Sequence, residues 1–187
     1  MLSVLSGAIE ARDPYTRGHS ARVTALAEAV ARRLGWNEER LASLRIGGRL
    51  HDIGKLTVSD EVLRKEGRLD ADELEHIREH PKAGAKILLR MSAMRDALPY
   101  VLYHHERWDG TGYPSGKAGQ EIPLEARVLA VADAFDAMTS DRPYRRALTH
   151  REAVAEVERC AGTQFDPEIA RVFLELFAQA ELSAAAS

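Results

Sequence analysis

Apolar positions along this chain recur at the three-and-four spacing of helices almost from end to end. Leu2, Leu5, Ala8 and Ile9 open the pattern, so MLSVLSGAIEARD predicts a first helix. Val23, Leu26, Ala27, Val30 and Leu34 form one stripe that stops at Gly35. Asn37 is placed to cap the next helix, in which Leu41, Leu44 and Ile46 lead towards His51. Asp70 to Glu73 and Thr149 to Glu152 have the spacing of reciprocal N-caps. Pro81, directly after His80, fits a first helical position. Asp166-Pro167 opens a last helix with Ile169, Val172, Phe173, Leu176 and Phe177 on one face. No segment alternates with the period of a strand, and no Asn-Gly turn marks a hairpin. The pattern predicts an all-α fold: one helical bundle domain over residues 1–187, with a core from about 6 to 177 and a frayed tail at 181–187. One irregular segment, Glu106 to Pro123, is rich in Gly and Pro. A loop that long in a compact domain is usually functional or disordered.

Composition narrows the classes of function. At 187 residues the chain can bury a sizeable core. A net charge of −3 gives no bulk field for a nucleic acid polymer or an anionic membrane. No charge-free run approaches the roughly 20 residues of a membrane span. The apolar start lacks a basic leader and soon turns acidic, so it does not read as a signal peptide. The lone cysteine, Cys160, can form neither an internal disulfide nor a thiolate metal site. A reducing cytoplasm is the expected location.

The chemistry lies in the histidines. His76 and His150 sit among charges and are expected to face solvent. His19 opens a helix with an apolar stripe. His51 precedes Asp52, His80 starts a helix, and His104 and His105 follow the apolar VLY. Asp133 lies in VLAVADAF, where a buried carboxylate must be paired or bind a metal. Singly, each histidine reads as a cap or a satisfied core residue. Together, five histidines and two aspartates on separate helices read as a metal site built inside a bundle. Imidazole with carboxylate suits Zn, Fe, Mn or Co. Seven ligands exceed what one ion takes with room for water. Two ions sharing a carboxylate fit, and Asp52 is well placed to bridge. Such a centre suggests hydrolysis at phosphorus. Lys55, one turn beyond Asp52, would face the same side and stabilise a phosphoryl oxygen.

The motifs then become recognisable. HDIGK, residues 51–55, resembles the signature of the HD superfamily of metal-dependent phosphohydrolases. HHERWDGTGYP, residues 104–114, resembles the motif that names the HD-GYP subfamily. DPYTRGHSARV, EHPKAGAKIL, IPLEARVLAVADAFDAMTSDRPYRRAL and TQFDPEIA match the same pattern in order, over about residues 6–177. The resemblance implies an HD-type helical domain that hydrolyses cyclic di-GMP to linear pGpG, and often on to GMP, by a hydroxide bridging two metals. It implies the metal ligands His19, His51, Asp52, His80, His104, His105 and Asp133, with Asp52 bridging. It also implies iron or manganese, with zinc, nickel or cobalt as alternatives. Asp52 and Lys55 would be catalytic. Lys55, Tyr113, Arg142 and Arg145 would contact substrate, and arginine suits phosphate and base planes alike. Trp108 and Tyr113 either stack on a guanine or pack the loop down.

Some relatives carry a Glu four residues before the first histidine and bind a third ion. Tyr15 stands there in this chain, and a phenol of pKa about 10 is a poor ligand. Two ions are therefore expected, with the second cut to GMP less favoured. The GYP loop implies docking to diguanylate cyclase domains. Full-length relatives carry an upstream sensory or receiver domain; none stands in this sequence, so the expectation is an excised or free-standing output domain. Two alternatives remain: a phosphohydrolase of another nucleotide or cyclic dinucleotide, and a non-catalytic, metal-loaded cyclic di-GMP receptor.

Overall fold

The computed structural model describes residues 2–12, 18–65, 67–141 and 146–185. Ten α-helices and three 3-10 turns account for the regular structure of these residues, with no strand among them. The first three helices are α1 (Leu2–Arg12), α2 (His19–Arg33) and α3 (Glu38–Leu50). A 3-10 turn at Ile53–Thr57 follows, then α4 (Asp60–Leu63), α5 (Ala71–Arg78), α6 (His80–Leu88) and α7 (Leu98–Tyr103). After the long irregular segment come α8 (Leu124–Thr139), α9 (His150–Arg159) and α10 (Pro167–Ala185).

The expected caps set these boundaries. Asn37 accepts the Arg40 N–H at 3.0 Å, and Asp70 and Thr149 each form a full capping box. Gly35 ends the first stripe at φ +76°, a left-handed conformation that favours glycine. Pro81 lies in the first turn of α6, one position further in than expected, because His80 is itself helical. The tail departs from expectation. Glu181 to Ala185 continue α10, since Glu, Leu and Ala are good helix formers and nothing there breaks the helix.

Two apolar clusters form the core. Stripes from α2, α3, α8, α9 and α10 bury Val23, Leu41, Leu44, Leu129, Ile169 and Phe173, among others. Each fully buried side chain of this size contributes about 1.5–3 kcal/mol. A smaller cluster joins Ile9, Leu50, Ile53, Leu88, Met94 and Val101. The 3-10 turn after α3 packs hard on α6, and Gly54 makes this approach feasible. A Cβ there would lie 1.8 Å from the His80 carbonyl oxygen. This contact fixes the His51-Asp52 corner against His80. No described helix is long and apolar enough to cross a membrane.

Candidate metal centre

The ends of four helices bring the histidines together. His19 is the first residue of α2, His51 follows α3, His80 begins α6, and His104 and His105 follow α7. Asp133 reaches in from the middle of α8. His19, His51, His80, His104 and Asp52 are buried. Their donor atoms form two groups. Asp52, His80, His104 and His105 make one, and His19, His51 and Asp52 the other. Asp52 belongs to both. Its Oδ1 lies 3.2 Å from His80 Nε2, while its Oδ2 lies 3.6 Å from His51 Nε2. Asp133 Oδ1 lies 3.1 Å from His19 Nε2 and 3.8 Å from His51 Nε2.

The protonation pattern tests whether a cation fits. A carbonyl oxygen only accepts, so an imidazole nitrogen facing one must carry the proton. His51 Nδ1 donates to the Gly48 carbonyl at 2.8 Å, and His80 Nδ1 to the Ile77 carbonyl at 2.7 Å. His104 Nδ1 donates to the carbonyls of Val101 and Tyr100 at 3.0 and 3.1 Å. In the neutral rings each Nε2 is then a lone pair facing inward. His80 Nε2 and His104 Nε2 face each other at 3.3 Å, and His51 Nε2 has no hydrogen-bond partner. Inward lone pairs at this spacing repel unless a cation lies among them. Donors bound to one ion at about 2.1 Å are themselves about 3–3.5 Å apart. The residues therefore fit divalent ions, and imidazole with carboxylate is a suitable donor set.

Electrostatics agree. Burial, reinforced by His105 and the other histidines, holds His104 well below the usual histidine range. Burial pushes His105 down to about 3. Both are thus neutral at pH 7, the form in which an imidazole can bind a metal. Burial works against the Asp52 carboxylate, yet the Lys55 ammonium beside it holds its pKa far below normal. Asp133 is also held far below normal, by its hydrogen bond with His19 against its burial. His19 differs from the other histidines. Burial opposes its charged form, but Asp133 and Asp136 raise it to about 9.

Sequence reasoning missed Asp136 and Glu106. Asp136 Oδ2 accepts from His19 Nδ1 at 2.7 Å, and its Oδ1 accepts from Arg22 Nε at 2.6 Å. The signal was present in DAFDA, where Asp133 and Asp136 stand three apart on one helix face. Buried Glu106 accepts the backbone N–H groups of Ser115 and Lys117 at 2.7 and 3.1 Å, which folds the irregular segment back on itself. A second acid directly after a histidine pair was its only mark.

Lys55 was expected on a phosphate, and its Nζ lies on Asp52 Oδ2 at 2.7 Å. It stands in the 3-10 turn, at the same edge of the cluster. Tyr113 packs the loop down: its ring stacks on His105, with centroids 4.8 Å apart and planes at 26°. Gly112 permits this, because a Cβ there would lie 2.4 Å from the Arg107 nitrogen. Trp108 lies under Arg127, 5.8 Å from ring centre to guanidinium carbon. His76 and His150 are exposed, as expected. Tyr15, Arg142 and Arg145 lie outside the described residues.

An all-helical bundle whose helix ends gather a His-Asp doublet and four further histidines defines a class. The chain belongs to the HD domain family, whose model matches residues 3–169, and to its HD-GYP branch. It is 41% identical over 187 residues to the cyclic di-GMP phosphodiesterase response regulator RpfG of Xanthomonas campestris, covering 96% of this chain and 48% of that protein. It is 41% identical over 160 residues to 3′3′-cGAMP-specific phosphodiesterase 3 of Vibrio cholerae, covering 86% of this chain and 35% of that protein. The chain thus spans half or less of the length of these relatives. Its fold matches a solved cyclic GMP-AMP phosphodiesterase of V. cholerae with TM-score 0.73 at 20% identity, over 95% of this chain and 48% of that one.

Proposed function

We propose that residues 1–187 form one metal-dependent phosphodiesterase module that opens cyclic di-GMP to linear pGpG. The observation that carries this reading is the meeting of two donor groups on one carboxylate, Asp52, with Lys55 at its edge. His19, His51, Asp52 and Asp133 would hold one ion, and Asp52, His80, His104 and His105 the other. When bound, two such ions lower the pKa of a shared water and clamp the oxygens at phosphorus. The chain's own residues supply the rest. The carbonyls of Gly48, Ile77 and Val101 hold three imidazoles with their lone pairs inward. Lys55 shields the Asp52 charge from an arriving phosphodiester, and its ammonium can turn to a phosphoryl oxygen. Tyr113 over His105 closes one side of the cluster against water.

In this reading the ions are iron or manganese, with zinc, nickel or cobalt admitted by the same donors, and the module works in the cytoplasm. The GYP loop also offers a surface for diguanylate cyclase domains. A second substrate, 3′3′-cGAMP, is favoured by the V. cholerae relative, which is as similar as RpfG.

The test uses protein prepared without oxygen and supplied with iron or manganese. Ions per chain are counted, and cyclic di-GMP and 3′3′-cGAMP are followed by chromatography in the same sample. Two ions with pGpG as product are expected. Faster cleavage of 3′3′-cGAMP would transfer the assignment to that substrate. Two ions with tight binding and no cleavage would make the module a receptor.

A further inference from the structure

A cyclic dinucleotide carries two phosphodiesters, and the metal cluster accounts for one. We propose that Arg78 binds the other, the phosphate that is not cut. The inference rests on the function proposed above and adds a substrate contact to it.

Among the described residues, the cations around the site are mostly committed to carboxylates. Lys55 lies on Asp52, Arg22 on Asp136, Arg107 on Asp109 and Arg127 on Asp166. Arg78 has no carboxylate partner among the described residues. It ends α5 and is exposed. Its guanidinium carbon lies 5.5 Å from the centre of the Tyr113 ring, and that ring stacks on His105. One unpaired cation therefore stands a single aromatic ring away from a candidate metal ligand.

Its backbone is also fixed. The Ile77 carbonyl, one residue earlier, holds His80 Nδ1, so the α5–α6 junction cannot shift without disturbing the cluster. A guanidinium oriented by an aromatic face presents its fork to solvent, which suits a phosphate monoanion. The contact is blind to the base and would serve cyclic di-GMP and 3′3′-cGAMP alike.

The experiment compares wild type, Arg78→Ala and Arg78→Lys, all loaded with metal. Two substrates are used: the cyclic dinucleotide that the wild type cuts, and bis(4-nitrophenyl) phosphate, which has only one phosphodiester. For Arg78→Ala, KM for the cyclic dinucleotide is expected to rise about tenfold, with kcat within about twofold. The loss in kcat/KM should be at least about fivefold greater for the dinucleotide than for the single-phosphate probe. Arg78→Lys should recover part of the KM, and ions per chain should not change. An unchanged KM in Arg78→Ala overturns the inference and leaves the proposed function standing. Equal losses on both substrates also overturn it, since Arg78 would then act on the cut phosphate or on the fold. A wild type that neither binds nor cuts any cyclic dinucleotide removes the functional reading and this inference with it.

Discussion

The two halves of the donor cluster differ in how one imidazole, His19, is aimed. His19 is aimed by side chains: Asp136 takes its Nδ1–H, and Arg22 holds Asp136 through two nitrogens at 2.6 and 3.0 Å. His80 and His104 are aimed by main-chain carbonyls one turn earlier in the chain. A carboxylate behind an imidazole makes it more basic and a stronger ligand. A carbonyl fixes the tautomer and direction without adding charge. In the His19 half, His51 is likewise held by the Gly48 carbonyl, but His19 depends on residues that a single substitution can remove. His80 and His104 in the other half depend on where helices begin and end. One half is open to tuning, and the other is as durable as the fold.

The largest effect should come from the residue that serves both halves. Asp52→Ala is expected to lose both ions and to lower turnover by more than about a thousandfold. Elemental analysis of the purified variant checks it. Retention of both ions would show that the halves are independent and that Asp52 does not join them. The next test separates the halves. Asp136→Ala should weaken one ion by about 10–100-fold and leave the other in place. Ile77→Ala keeps its carbonyl and should change neither affinity by more than about twofold. Titration of metal-stripped protein measures both. Equal weakening of two ions by Asp136→Ala would end the distinction between the halves.

The same distinction explains what the sequence disclosed. Asn37, Asp70 and Thr149 cap their helices because capping is local, and a four-residue window holds all of it. The histidines were legible as candidate ligands because five of them, with Asp52 and Asp133, fell on separate helices of a predicted bundle. The main-chain half needed no further residue to be recognised, since its orienting groups are present in every helix. The side-chain half did. Asp136 joins His19 across 117 positions, and only the packing of α2 on α8 reveals that pairing. Glu106 is similar, because its partners are backbone groups nine and eleven residues ahead. Lys55 shows the opposite limit. Its place beside the cluster followed from helical spacing, while its contact with Asp52 depended on the chain tightening into a 3-10 turn.

The smallest effect concerns an arginine–carboxylate assembly with no histidine behind it. Glu28 accepts from Arg45 at 2.6 and 2.9 Å and from Arg32 at 2.8 and 3.1 Å. The Arg45 hydrogen bond, opposed by partial burial and helped by Arg32, lowers its pKa to about 2. The folded pKa is below the unfolded value of about 4.3. The stabilisation is therefore complete above that value and disappears as pH falls through about 2. Both arginines are well exposed, so the contribution should be under about 1 kcal/mol. Glu28→Gln should lower the melting temperature slightly at pH 7, by less at pH 3, and should leave both ion affinities unchanged. Asp136→Ala removes a similar pair, yet it is expected to cost an ion as well. If Glu28→Gln weakened metal binding as much, the effect of Asp136 would come from loss of surface pairing in general, and its contact with His19 would have no special role.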